Sequence, residues 1–332
     1  DENILSTKQY LRYQLAVDAF VQGKMTDVLQ WTNEIVKHAT KPSTYKTEAY
    51  YLAAQAHYSL HQYPQCVEQI NLYNQQTNVK NSENKALAIY LKAYALFNQK
   101  NYVAAEPLFR TFIATKPATN IYADALNRIG DCLFHARQFT LAIDTYTQVA
   151  NLKSTGADYA LLQNGYAQGL LHQYAQKVLV LNDLIEQYPR SDYADDALYE
   201  IARAQLLQNH NQEAIQTYQS LLQNYPNSNR AIKAALEMGM TYRTLKQYDQ
   251  AIQAFKNTIE NYAGTEESYA ALEGLEQVYV ETNNIEDYIT YTKQLSKMNM
   301  QTASSEDSLV YVTAELQYML GNYPQAAAGL TT

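Results

Sequence analysis

One pattern governs what this chain can fold into: a unit of about 37 residues recurs along the whole 332-residue sequence. The segments Gly130 to Tyr146 (GDCLFHARQFTLAIDTY), Gly239 to Phe255 (GMTYRTLKQYDQAIQAF) and Ala93 to Phe109 (AYALFNQKNYVAAEPLF) align without a gap. Each opens on a small residue, places an aromatic ring nine later and an alanine three after that, and ends on another ring four further on. That spacing predicts a helix, a tight turn and a second helix. With the second small residue as anchor, the unit falls at Val28, Cys66, Ala105, Ala142, Lys177, Ala214, Ala251, Tyr288 and Ala326, at intervals of 35 to 39 residues.

Twelve residues before each anchor stand Ala16, Ala54, Ala93, Gly130, Gly165, Ala202, Gly239, Glu276 and Ala314. Small side chains recur there because two helix axes crossing at about 8–10 Å leave no room for bulk at the nearest point. Three residues before the anchor come Met25, Tyr63, Tyr102, Phe139, Tyr174, Asn211, Tyr248, Ile285 and Tyr323, placed to close the turn. Four and seven residues after it the apolar stripe continues, as in Phe109 and Phe112 or Tyr218 and Leu221. Pro117, Pro189 and Pro226 then stop the second helix, since proline lacks the amide proton and clashes with the preceding turn. Lys177, Glu276 and Tyr288 depart from the pattern, and AALEGL (Ala270 to Leu275) matches AALEMG (Ala234 to Gly239) one step out of phase.

Composition narrows the function classes. With 10 Gly and 7 Pro the chain is poor in breakers, which favours helices. Two cysteines make no disulfide framework, and no run of 18 apolar residues offers a membrane span. A net charge of −8 lacks the basic footprint of a nucleic-acid binder. The 31 Tyr against 7 Phe and 1 Trp suit a thin protein whose core positions lie near water, because tyrosine joins an apolar ring to a polar end. No phosphate-binding glycine loop, nucleophile elbow or zincin motif occurs. His57 and His61, four apart on a first helix, lack a third ligand nearby, and Cys66 and Cys132 read as small buried side chains. We therefore expect no catalytic residue, no cofactor and no metal. The chain opens at Asp1 without a leader, so either a signal was removed or it was cut from a longer protein, and the array is expected to continue past Thr332.

The repeat resembles the tetratricopeptide repeat over essentially the whole chain. The resemblance implies an all-α, right-handed superhelical solenoid of about nine helix-turn-helix repeats, a single domain over 1–332. Linkers such as YPRSDYADDALYEIA (Tyr188 to Ala202) and YPNSNRAIKAALEMG (Tyr225 to Gly239) resemble those of bacterial cell-envelope members, the Tol-Pal and outer-membrane assembly lipoprotein types. They imply a periplasmic or envelope location.

In that family the first helices line a concave groove at repeat positions two, five, nine, twelve and thirteen. Carried onto this chain, these positions put Tyr13, Phe20, Tyr51, Tyr58, Tyr90, Tyr94, Phe97 and Phe134 in an aromatic ladder. The rings either pack against the neighbouring repeat or form a stacking groove for an extended peptide. No repeat carries the family's Lys and Asn clamp for chaperone tails. The implied function is a non-catalytic protein-interaction scaffold, with a tyrosine-rich glycan-binding or carbohydrate-uptake module as the alternative.

Acidic residues form a second candidate surface. Residues 257–292 hold Glu260, Glu266, Glu267, Glu273, Glu276, Glu281, Glu286 and Asp287 without one Lys or Arg. Glu266 and Glu267 follow Thr265 at a helix start, where the macrodipole favours carboxylates. Glu273, Glu276 and Glu281 have no basic partner at i+4, which makes them a docking surface for a basic segment or a solvated face that aids solubility.

Overall fold

The computed structural model describes residues 2–39, 43–76, 82–296, 306–319 and 321–330, so Asp1 and Thr332 lie outside it. The chain divides into two compact units, Asp1–Leu171 and His172–Thr332. The first holds α1 (Glu2–Val21), α2 (Met25–Lys37), α3 (Thr44–Ser59), α4 (Tyr63–Asn74), α5 (Ser82–Asn98), α6 (Tyr102–Ile113), α7 (Thr119–His135), α8 (Phe139–Leu152) and α9 (Ala157–Leu170). The second holds α10 (Tyr174–Gln187), α11 (Ala194–Leu207), α12 (Asn211–Asn224), α13 (Asn229–Thr244), α14 (Tyr248–Asn261), α15 (Glu266–Glu281), α16 (Ile285–Ser296), α17 (Glu306–Met319) and α18 (Tyr323–Leu330). Within each unit consecutive helices pack on one another, and first helices such as α3 and α5 or α11 and α13 also touch across repeats. Each unit is thus a solenoid of helix pairs, all-α among the described residues.

The repeat register stands in every helix pair. All nine turn-closing residues, from Met25 to Tyr323, are the first residue of a second helix, Ile285 included, which fixes the eighth repeat against its out-of-phase match. The anchors Val28, Cys66, Ala105, Ala142, Ala214 and Ala251 are fully buried, as are Phe109, Tyr146, Tyr218 and Phe255 one turn later. Pro117, Pro189 and Pro226 lie beyond the ends of α6, α10 and α12, and the first helices α13 and α15 start on a side-chain cap. Ser228 Oγ accepts from the Ala231 amide at 3.0 Å, and Thr265 Oγ1 accepts from that of Ser268 at 3.1 Å.

Each turn adopts one backbone form. The residue two before each second helix has positive φ: Gly23, His61, Lys100, Arg137, His172, Asn209, Lys246, Asn283 and Gly321. In the third repeat the Asn101 amide donates to the Leu96 carbonyl and the Lys100 amide to that of Phe97. This paired closure satisfies the last carbonyls of the first helix. Seven of these nine residues carry a side chain in the left-handed region, at a cost of about 1 kcal/mol each. His61 therefore stands in the turn, past the end of α3, and not on one helical face with His57 as the sequence suggests.

The small residues at the crossings are set by rings. A Cβ on Gly130 would come within 2.5 Å of the Tyr146 ring, and one on Gly239 within 2.7 Å of the Phe255 ring. Phe255 is gripped from its other side too, because a Cβ on Gly274 would reach 2.6 Å from it.

The departures are resolved in pairs. Tyr288, buried at an anchor, donates its hydroxyl to Glu276 Oε2 at 3.0 Å, and Glu276 holds the slot that is otherwise small. Lys177 is buried and donates to Glu200 of α11, whose other carboxylate oxygen lies 3.6 Å from Arg203.

Urea unfolding reads these contacts. Gly239→Ala should destabilise by about 1–3 kcal/mol through overpacking on Phe255, whereas Lys246→Gly, relieving a left-handed turn, should gain about 0.5–1 kcal/mol. Lys177→Met alone takes the nearer cation from the buried Glu200 carboxylate, leaving Arg203 at 3.6 Å, and should cost about 3 kcal/mol. Adding Glu200→Leu should recover most of that loss.

Candidate functional site

All eight ladder residues, Tyr13, Phe20, Tyr51, Tyr58, Tyr90, Tyr94, Phe97 and Phe134, are half-buried and lie on first helices of the first unit. Each has an edge or a face in the packing. The Tyr13 ring lies 5.8 Å from Tyr45, Tyr51 5.5 Å from the fully buried Tyr73, and Tyr90 4.4 Å from Phe112. Tyr94 meets Phe109 edge-on at 5.3 Å, Phe97 meets Tyr102 at 5.3 Å and Phe134 meets Phe139 at 5.4 Å. Phe20 packs beside the cluster of Ala16 and Val28.

Four of the eight also share an open cleft. Tyr51 and Tyr58 of α3 face Tyr90 and Tyr94 of α5 across a space of about 360 Å³, with Gln55, Leu87 and Leu91 completing the walls. The cleft exists because the repeat puts rings at positions five and twelve of α3 opposite rings at positions five and nine of α5. Asn98 Nδ2 donates to the Tyr58 hydroxyl at 3.0 Å at one end. Tyr13, Phe20, Phe97 and Phe134 lie outside this cleft.

Charged groups that the repeat pattern did not single out are woven into these rings. The hydroxyls of Tyr90 and Tyr94 both donate to Oδ2 of Asp124 in α7. One turn on, Arg128 lies 5.5 Å from the Phe97 ring and 5.1 Å from Tyr159, with Nη1 2.6 Å from Asp131 Oδ2. Asp131 Oδ1 accepts from Tyr146 at 2.7 Å and Tyr159 at 2.8 Å. Burial raises the Asp131 carboxyl above its ordinary range, and Arg128 pulls it part of the way back. One turn before Tyr51, Glu48 accepts from Asn84 Nδ2 at 3.4 Å, and its carboxyl is likewise raised by burial. Burial, reinforced by Tyr73 and Glu48, pushes the Tyr51 hydroxyl up to about 12. These phenols are neutral donors at any physiological pH. The signal in the sequence is groove position two of the repeat, which holds Glu48 in the second repeat and Asp124 in the fourth.

The two cysteines are free and buried, and burial pushes each thiol up to about 12, out of the nucleophilic range. Among the described residues no three metal-binding side chains cluster, and no helix is long and apolar enough to cross a membrane.

The acidic stretch is not one uniform face. Glu281 receives two hydrogen bonds from Arg243, at 3.1 Å from Nε and 2.6 Å from Nη2. Glu276 accepts from Tyr288, and Asp287 accepts from Asn284 Nδ2 at 2.7 Å. The partners sit across helices and turns, so an i+4 search misses them. Glu266, Glu273 and Glu286 are exposed, whereas Glu267 is half-buried in the first turn of α15 behind its Thr265 cap. Glu281→Gln should therefore cost about 0.5–1 kcal/mol, while Glu273→Gln should stay within about 0.5 kcal/mol of the parent in urea melts.

One tetratricopeptide repeat model matches residues 90–157 and another matches residues 196–228 and 233–265. No curated relative matches the sequence. The solved C-terminal part of a tetratricopeptide repeat-containing protein from Cytophaga hutchinsonii is 17% identical, with a TM-score of 0.63 over 79% of this chain and 99% of that one. The apo form of RapI is 9% identical, with a TM-score of 0.57 over 97% of each chain. At such identities these two share the fold alone. Residues 90–157, 196–228 and 233–265 carry tetratricopeptide repeats, and the helix pairs around them repeat the same pattern.

Proposed function

We propose that the chain is a non-catalytic interaction scaffold whose first-helix face in the N-terminal unit takes an extended segment of a protein partner. The observation that carries this reading is the cleft between α3 and α5, where four half-buried tyrosines keep part of each ring open to a ligand. Rigid amphipathic rings with few rotatable bonds are the side chains on which peptide binding energy concentrates. The surrounding fold supports the same use, because its helix pairs supply a firm backing for the rings. The Tyr-Pro-x-Ser linkers at Tyr188 and Tyr225 support a place for this scaffold in the bacterial cell envelope.

Selection of displayed random peptides on the immobilised chain tests the groove. Extended peptides should be enriched by the parent and lost from a Tyr51→Ala, Tyr58→Ala variant that keeps most of its cooperative melting transition. Enrichment that survives both substitutions, or no enrichment on the parent, would overturn the reading.

A further inference from the structure

The chain's own cations show what its tyrosine rings hold. In the second unit Arg230 of α13 lies 5.3 Å from the centroid of the Tyr199 ring and donates through Nε to Asp196, both on α11. In the same unit Lys256 Nζ lies 4.6 Å from the Tyr291 ring. In the first unit Arg128 sits 5.1 Å from Tyr159 beside Asp131. A cation over an aromatic face is drawn to the ring quadrupole, and a neighbouring carboxylate adds a charge-assisted hydrogen bond.

The first of these arrangements has a counterpart in which asparagine stands at the position of the arginine. Asp196 and Tyr199 occupy positions two and five of the sixth repeat, and the arginine comes from the next repeat, 21 residues before the anchor Ala251. Glu48 and Tyr51 occupy the same two positions of the second repeat. The residue 21 before the next anchor, Ala105, is Asn84, and it reaches the Glu48 carboxylate as Arg230 reaches Asp196. Acid and ring are kept, and the guanidinium is replaced by a neutral amide. Beyond Tyr51 opens the cleft, whose far wall is Tyr90 and Tyr94 with their hydroxyls on Asp124. A phenol that donates to a carboxylate has a more electron-rich ring, which strengthens its hold on a cation. Arg128, the guanidinium in α7, is directed to Asp131.

We propose that this tyrosine cleft binds the guanidinium of an arginine carried on an extended partner segment, seated between the rings and reaching Glu48 or Asp124. The proposal rests on the groove reading above and adds the chemistry of the occupant. Arginine fits better than lysine because its flat fork stacks on rings and offers several directed donors, as Arg230 does on Tyr199 and Asp196.

Calorimetric titration of the full chain with the acetylated, amidated peptide Ala-Leu-Arg-Leu-Ala, and with its citrulline counterpart, reads the charge alone, since citrulline keeps the shape of the side chain. The arginine peptide should bind about tenfold more tightly. Of Glu48→Gln and Asp124→Asn, both near-isosteric, at least one should narrow that preference about threefold or more, while Glu273→Gln at an exposed position of α15 should leave it unchanged. Equal affinity for the two peptides would overturn the arginine assignment and leave the groove reading standing. A loss with Glu273→Gln as large as that with Glu48→Gln would overturn it too, by showing a response to net charge alone. Binding of neither peptide by a chain that still enriches displayed sequences would have the same meaning, whereas loss of both results would remove the groove as well.

Discussion

The contact on which the rest of this structure depends is an aromatic ring lying on a stretch of helix that has no side chain. Tyr146 covers Gly130, and Phe255 is held between Gly239 and Gly274. This contact sets how closely two helices approach, and so fixes where the next turn and the next first helix must stand. Where the ring is tyrosine, the same contact also delivers a buried hydroxyl, and Tyr146 donates its own to Asp131, whereas the Tyr218 hydroxyl at the same repeat position is buried without a hydrogen-bond partner. At the eighth anchor Tyr288 donates to Glu276.

That coupling explains why exceptions to the repeat come as partners. A bulky tyrosine at one anchor is tolerated beside a glutamate that accepts its proton, and a lysine at another sits against a glutamate of the following helix. Removing one member of either pair leaves a buried polar group alone, a heavier loss than never having had the pair.

The fold was legible in the sequence because its determinants are local and recur. Small residues at a fixed offset, a ring at the first position of most second helices and prolines past helix ends all act within one repeat. The ladder was legible as a set of residues, yet the sequence does not show which rings enclose a space: four share the cleft, and Tyr13, Phe20, Phe97 and Phe134 are engaged elsewhere. The ion pairs were the least legible part. Arg243 reaches Glu281 across 38 residues, and Arg230 reaches Asp196 across 34, roughly one repeat length, whereas the charge patterns that sequence reading uses lie within a single helix.

The position of the cleft has a mechanical consequence. In a stack whose stability is a sum of neighbour contacts, each joint between repeats acts as a spring, and its stiffness follows the side chains that meet across it. Between α3 and α5 the rings of Tyr58 and Tyr94 meet edge-on at 6.5 Å and the rest of the joint opens into the cleft, so part of the dispersion contact is missing there. This joint is accordingly a compliant link of the N-terminal unit, and anything that fills the space makes it rigid. Occupancy there is a change in elasticity as much as in affinity, felt by the helices on both sides of the joint without any of them changing its fold.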